Sequence, residues 1–331
     1  MSFTNTFDTT NTGSAVSNRE DLTDVLTILA PEETPILSSA DKKKASSTFV
    51  EWTVDSLAAP SPSGISEGAD VTAFTDQFAG RAKLGNRVQK FRRDYMVSDM
   101  QEAVDSVGPA KIAQAEAKAI RELKRDIEAT LASANTQATE NGAGTANALG
   151  GLGDWIQNAA GSGNVPAAFQ TPAASVVDAG ATLSESEFNG LITSIFGVTG
   201  STNNLMLIAD TTLRSDISDF ARTTASATDN VRSVNYDGNS GEIKLSVDLY
   251  QSDHGVVSIV NGNPDCMPTQ TGTAGMMGYL VNPEYYGVHE LIPMGSTRLP
   301  NLGGGERGFV DCALTLGVYH PGAHGKIIDN A

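Results

Sequence analysis

The 331-residue chain has 22 Lys plus Arg against 39 Asp plus Glu, a formal net charge of −17, and it is 40% hydrophobic and 18% charged. Such a composition buries a core and is not that of a disordered chain, while its acidity argues against tight binding to phosphate backbones. Cys266 and Cys312 lack CxxC spacing and read as reduced thiols rather than a disulfide, no apolar run approaches the ~20 residues of a membrane span, and the N-terminus lacks the basic start and apolar core of a signal peptide.

Residues 1–17 are rich in Thr, Asn and Ser and read as a flexible arm. Ser17 and Glu20 then have capping-box spacing, and Leu22, Val25, Leu26 and Leu29 recur on one helical face, with Pro31 and Pro35 ending the helix. A helix this short is marginal alone and must dock on something. From Phe49 the pattern changes. Val50, Trp52 and Val54 alternate with Glu51, Thr53 and Asp55, and Pro60, Pro62 and Gly64 then stop the strand. This is the pattern of a long hairpin arm. Its return limb, residues 81–98, carries Arg81, Lys83, Arg87, Lys90, Arg92 and Arg93 with no acidic residue among them. A nucleic-acid patch and a solvated edge strand are two readings of that run. A basic arm laid over an acidic copy of the same protein is the third and is favoured, because the run has no base-stacking or helix-in-groove pattern and a solvated edge strand leaves Trp52 unexplained.

The spacing predicts a long helix over residues 108–134, with Pro109 in its first turn and Ile112, Ala119, Ile120, Leu123, Ile127 and Leu131 as its apolar stripe. Lys118–Glu122 and Lys124–Glu128 are expected as i,i+4 pairs on its outer surface. A Gly/Thr/Asn/Ala connection follows over 135–155, and shorter mixed elements come after it. A helix over 184–198 presents Phe188, Leu191, Ile192 and Ile195, and a buried strand over 203–210 ends at Asp210, which can cap the helix after it. Two strands flank the Ser252–Gly255 turn within 242–260, and further strands span 276–281, 286–292 and 308–320. In the last, Val310, Cys312, Leu314, Leu316 and Val318 share a face. Strands and helices mix without regular βα alternation, so the class is α+β.

No chemistry converges. His320 and His324 have metal-like spacing, but Pro and Gly between them break any helix, and a solvated C-terminal loop is the expected setting. Asp253-His254 sits in a turn, with no GxSxG elbow in the chain. "GGLGDW" lacks the third glycine of a dinucleotide fingerprint and reads as a turn, and "LGGGERG" lacks the Lys-Ser/Thr of a phosphate loop and reads as a flexible connection. Cys312 reads as core. No enzyme activity, cofactor or metal is expected.

The order of parts is a docking N-terminal helix, a long basic hairpin, a beam-like helix and a mixed domain. It resembles the tailed-phage major capsid protein fold, shared by encapsulins and herpesvirus capsid floors. The resemblance is carried by Thr34-Pro35, Glu51-Trp52, Asp55-Ser56-Leu57, Glu67-Gly68, Asn86, Gln89, Val97-Ser98 and the Glu122–Glu128 run. It is strongest over about residues 19–134, patchier through 150–260 and thin at the C-terminus. It implies an N-terminal arm at 1–48, an extended hairpin loop at 49–100 and a peripheral domain with a spine helix at 101–149. It further implies a mainly axial domain at 150–300 and C-terminal strands at 301–331 returning to the body.

The resemblance also implies roles. Trp52, Arg81, Lys83, Arg87, Lys90, Arg92 and Arg93 would make inter-subunit contacts, and Ile112, Ile120, Leu123, Ile127 and Leu131 would form the spine-helix core. The chain would assemble with itself as pentamers and hexamers into an icosahedral virion shell, built in the host bacterial cytoplasm. That shell would enclose double-stranded DNA without reading its sequence. Scaffold, portal and decoration proteins are the other partners implied, and no membrane is. An encapsulin-like compartment or another virion structural protein is the alternative.

Overall fold

Period-2 and period-3.6 apolar patterns sort this chain into two helix-covered sheets and a separate hairpin. A computed structural model describes residues 33–104, 111–142, 144–157, 165–180, 182–202, 204–220, 248–267 and 275–329. The arm expected at 1–17, the helix expected after Ser17 and the first residues of the strand pair expected from 242 lie outside these.

The first unit joins α1 (Pro35–Ser39), β1 (Asp41–Lys44), β4 (Gln89–Val97) with the short α2 (Asp99–Ala103) after it, α3 (Lys111–Ala132), β10 (Tyr286–Leu299) and β11 (Glu306–Val318). Its sheet runs β1-β10-β11-β4, with β1 parallel to β10 and the other pairs antiparallel. The helix α3 lies across β4 and β11. At ~1.5 Å per residue its 22 residues make a rod of about 33 Å. Leu123, Ile127 and Leu131 are fully buried, and the half-buried Ile112 and Ile120 pack against the same core. Each buried large side chain contributes about 1.5–3 kcal/mol. The expected alternation in β11 is present: Val310, Cys312, Leu314, Leu316 and Val318 all face the core.

The second unit is a six-stranded mixed sheet. Its strands are β5 (Val176–Asp178), β6 (Leu205–Ala209), β7 (Leu249–Ser252), β8 (Gly255–Asn261), β9 (Gly275–Val281) and β12 (Gly325–Asp329), in the order β5-β12-β9-β6-β8-β7. The helices α5 (Glu185–Thr199) and α6 (Thr211–Phe220) supply Phe188, Leu191, Ile192, Ile195, Leu213 and Ile217 to its core. The bounds of α5 are local. Ser184 and Glu187 form a reciprocal capping box, and Gly200 closes the helix at φ 68, a left-handed conformation that favours glycine. The hairpin is β2 (Phe49–Val54) paired antiparallel with β3 (Ala82–Arg87).

Several expectations are corrected. The basic return limb is not one strand. It divides at Val88, and β4 leaves the hairpin to pair with β11, because Phe91 and Tyr95 bury against α3's core. Pro35 does not end a helix but starts one, since the first turn needs no N–H from it. Lys118 pairs with Glu122 on the surface, but Glu128 is buried and bonded to α1 instead of Lys124. The turn expected at "GGLGDW" is a buried helical one, α4 (Leu152–Trp155).

The His320–His324 segment is not a solvated loop. His324 is fully buried because β12 inserts between β5 and β9 and draws the preceding turn under α5. Its Nδ1 accepts from Asn282 N at 3.2 Å, and burial pushes the imidazole down to about 4. Both cysteines are free and buried. Among the described residues no three His, Cys, Asp or Glu side chains are grouped to hold a metal ion, and no helix is long and apolar enough to cross a membrane.

Candidate assembly surfaces

Two surfaces stand out, and the hairpin is the first. Its root is locked to the body. Trp52 points from β2 onto Trp155 of α4, with ring centroids 5.5 Å apart, and makes a T-shaped contact with Tyr319 at 6.0 Å. Lys43 Nζ lies over the Tyr319 ring, 4.1 Å from its centroid. Behind them Asn86 of β3 is fully buried and uses its whole amide. Its Nδ2 donates to Gly150 O at 3.0 Å and Leu316 O at 2.8 Å, and its Oδ1 accepts from Gly150 N at 2.8 Å and Arg87 N at 2.9 Å. A Cβ on Gly85 would lie 2.6 Å from Phe49 Cζ and 3.1 Å from Val50 O, so a side chain there would have to push the Phe49 ring aside. The turn carrying Trp155 is held from below, where Lys326 Nζ donates to Gly153 O at 3.0 Å. Burial pushes the Asp154 carboxyl beside it up to about 6 and lowers Lys326.

Past the root the hairpin is bare. Arg81 Nε donates to Asp55 Oδ2 at 2.7 Å and closes the neck, which holds that carboxyl below its ordinary range. Beyond it Leu57 is 100% exposed, Phe74 91% and Ile65 87%, with Val71 and Phe78 also exposed. Residues 56–80 carry Glu67, Asp70 and Asp76 and no Lys or Arg. The free end of the arm is therefore apolar and acidic.

The second surface is a groove of about 490 Å³ on the first unit, between β4 and the β10–β11 hairpin. Arg92, Tyr95, Met96, Leu299, Arg307 and Phe309 line it, together with Asp94. Met96 and Leu299 are exposed there, and Arg92 reaches Asp94 only at 4.0 Å. The groove mixes apolar and polar lining, with two arginines against one aspartate on its rim. Gly305, at φ 125, shapes its end. A side chain there would strike Val97 O at 2.1 Å, so the link between β10 and β11 lies tight against the end of β4.

The residues expected at subunit contacts are thus split. Trp52, Arg81, Lys83 and Arg87 ride on the hairpin, whereas Lys90, Arg92 and Arg93 belong to the body sheet. Most have partners within the chain. Trp52 has its aromatic cage, Arg81 has Asp55, and Arg87 lies 5.0 Å from the Phe49 ring. Lys90 bonds Asp311 at 3.0 Å, and Arg93 grips Asp126 of α3 with two bonds of 2.5 and 2.7 Å, which hold its guanidinium above its ordinary pKa. Lys83 and Arg92 are exposed. Asn86, Trp155 and Tyr319 were not among the expected contacts. Asn86 carried a signal, an amide inside an otherwise apolar and basic strand, but its partners are distant in sequence.

A model of the SU10 major capsid protein family matches residues 3–331. None of the curated proteins matches the chain. Among solved structures, the capsid of the cyanophage P-SCSP1u is 12% identical with a TM-score of 0.64, covering 100% of both chains. The capsid of a native GTA particle is 10% identical, with a TM-score of 0.62 over 98% of this chain and 99% of that one. A Mycobacterium phage Bobi structure is likewise 10% identical, with a TM-score of 0.62 over 98% and 99%. At such identities the likeness is one of fold.

Proposed function

This chain belongs to the SU10 major capsid protein family, and from that premise we propose that it closes as pentamers and hexamers into an icosahedral phage head around DNA. It is a major capsid protein of a tailed phage and a structural component of the virion. In the finer reading, the hairpin tip of each copy lies in the Arg92–Arg307 groove of a neighbour. The observation that carries this is the tip itself: large apolar side chains over residues 56–80 that its own chain leaves exposed. The signs agree as well, since the tip is acidic and the groove rim basic. In this reading an acidic tip meets a basic groove rather than a basic arm meeting an acidic neighbour, since Arg81, Lys90 and Arg93 already have carboxylate partners within the chain.

A shell made of many modest contacts can correct errors before it closes. The net charge of −17 limits adhesion of packaged DNA to its wall. Residues 49–88 form the extended loop in this reading, α3 with its sheet the peripheral domain, and the six-stranded sheet the axial domain. A separate scaffold, a portal and decoration proteins complete the set of partners.

The test is electron microscopy and light scattering of the purified chain and of an Arg92→Glu/Arg307→Glu variant. Closed shells or five- and six-fold rings are expected from the parent chain and soluble, folded subunits from the variant. Normal shells from the variant would remove the groove from the interface. A parent chain that stays monomeric at every salt and protein concentration, with scaffold supplied, would remove the assembly reading.

A further inference from the structure

The N-terminal segment joins the body through residues 33–40. One-turn α1, Pro-Ile-Leu-Ser-Ser, contains no ionisable side chain and is too short to persist alone. Asn263 Nδ2 donates to Glu33 O at 3.0 Å, Ser39 Oγ meets the Tyr286 hydroxyl, and Ile36 is fully buried. The central fastening is Glu128 of α3. Its Oε1 accepts from Ile36 N at 2.8 Å and its Oε2 from Leu37 N at 2.9 Å. Glu128 is 2% exposed, and none of the ion pairs among the described residues includes it. Its helix neighbour Arg125 is taken up by Asp265.

We propose that Glu128 is a charge-gated latch on the N-terminal segment, fastening residues 33–40 more tightly when neutral and loosening them when ionised. The latch acts on backbone N–H groups, so its grip depends on the charge of one side chain. A carboxylate without a cation is costly to bury, even with two N–H donors. Burial accordingly raises this carboxyl from 4.5 to about 7, against the lowering effect of the Ile36 and Leu37 amides. The other titratable groups facing it are Tyr286 of β10, pushed up to about 12, and Cys266 of the loop after β8, also pushed up. Both are neutral near neutral pH, so neither competes as the switch. With α1 lifted off, Glu128 meets water and returns toward 4.5. The docked segment therefore holds the proton more tightly than the undocked one. Its proton-linked docking is complete below about 4.5 and is lost as pH rises through about 7.

Hydrogen exchange of the full, unassembled chain tests this without reference to shell assembly. Protection factors for residues 33–40 are compared with those of α5, which packs in the other core. The expected result is a roughly tenfold loss of protection at 33–40, relative to α5, between about pH 6 and about pH 8.5. In Glu128→Gln the ratio is expected to be flat, and at the higher pH the segment is better protected than in the parent chain. A flat ratio in the parent chain would overturn the proposal. So would weaker protection in Glu128→Gln at the higher pH, which would make the ionised carboxylate the tighter fastening. If the variant does not fold, the parent pH series alone decides.

Discussion

The root and the tip of the hairpin are opposite solutions on one continuous stretch of chain. At the root, Trp52 has two aromatic partners and Asn86 makes four hydrogen bonds. At the tip, Phe74 and Leu57 touch almost nothing of their own chain. Packing at the root without packing at the tip aims the arm while leaving its end to be completed by something else. The difference separates what the fold needs from what assembly needs, and substitutions in the two places should fail in different ways.

Asn86→Leu should strike hardest. It leaves both polar groups of Gly150 and the Leu316 carbonyl buried without this partner, at about 1–3 kcal/mol for each stranded group in such settings. A loss of about 3 kcal/mol or more in urea unfolding is expected, and a loss under about 1 kcal/mol would show that the root is not held there. Trp52→Ala is next, at about 2 kcal/mol, because the side chain is only half-buried. The chain has two tryptophans, and they are in contact, so the variant should also change the fluorescence of Trp155. Unchanged emission would mean that the rings do not meet in solution. Phe74→Ser/Phe78→Ser should move unfolding by no more than about 0.5 kcal/mol yet abolish shells seen by microscopy. Loss of fold would erase the contrast between root and tip, and intact shells would remove the tip's role.

Much of this architecture was legible because it is periodic. The stripe of α3, the apolar face of α5 and the alternation of β11 follow from neighbours in sequence. The chemistry of the root was not legible. Trp155 and Tyr319 reach Trp52 from segments far along the chain, and Asn86 bonds across to Gly150 and Leu316. The partners of the basic run were hidden for the same reason. Its charges are consecutive in sequence, but Asp55, Asp126 and Asp311, which neutralise three of them, are brought up by other elements.

The sequence by itself determined the α+β class, the long helix, the hairpin and the absence of a convergent catalytic pattern, since these rest on local spacing and residue type. Only the tertiary structure decided where the hairpin ends and the body sheet begins. It also decided that Glu128 faces inward, that His324 is buried, and that the large apolar side chains of the arm's free end stand exposed. Burial, and which charges meet, depend on strands and helices that are distant in the chain, and no local period encodes those meetings.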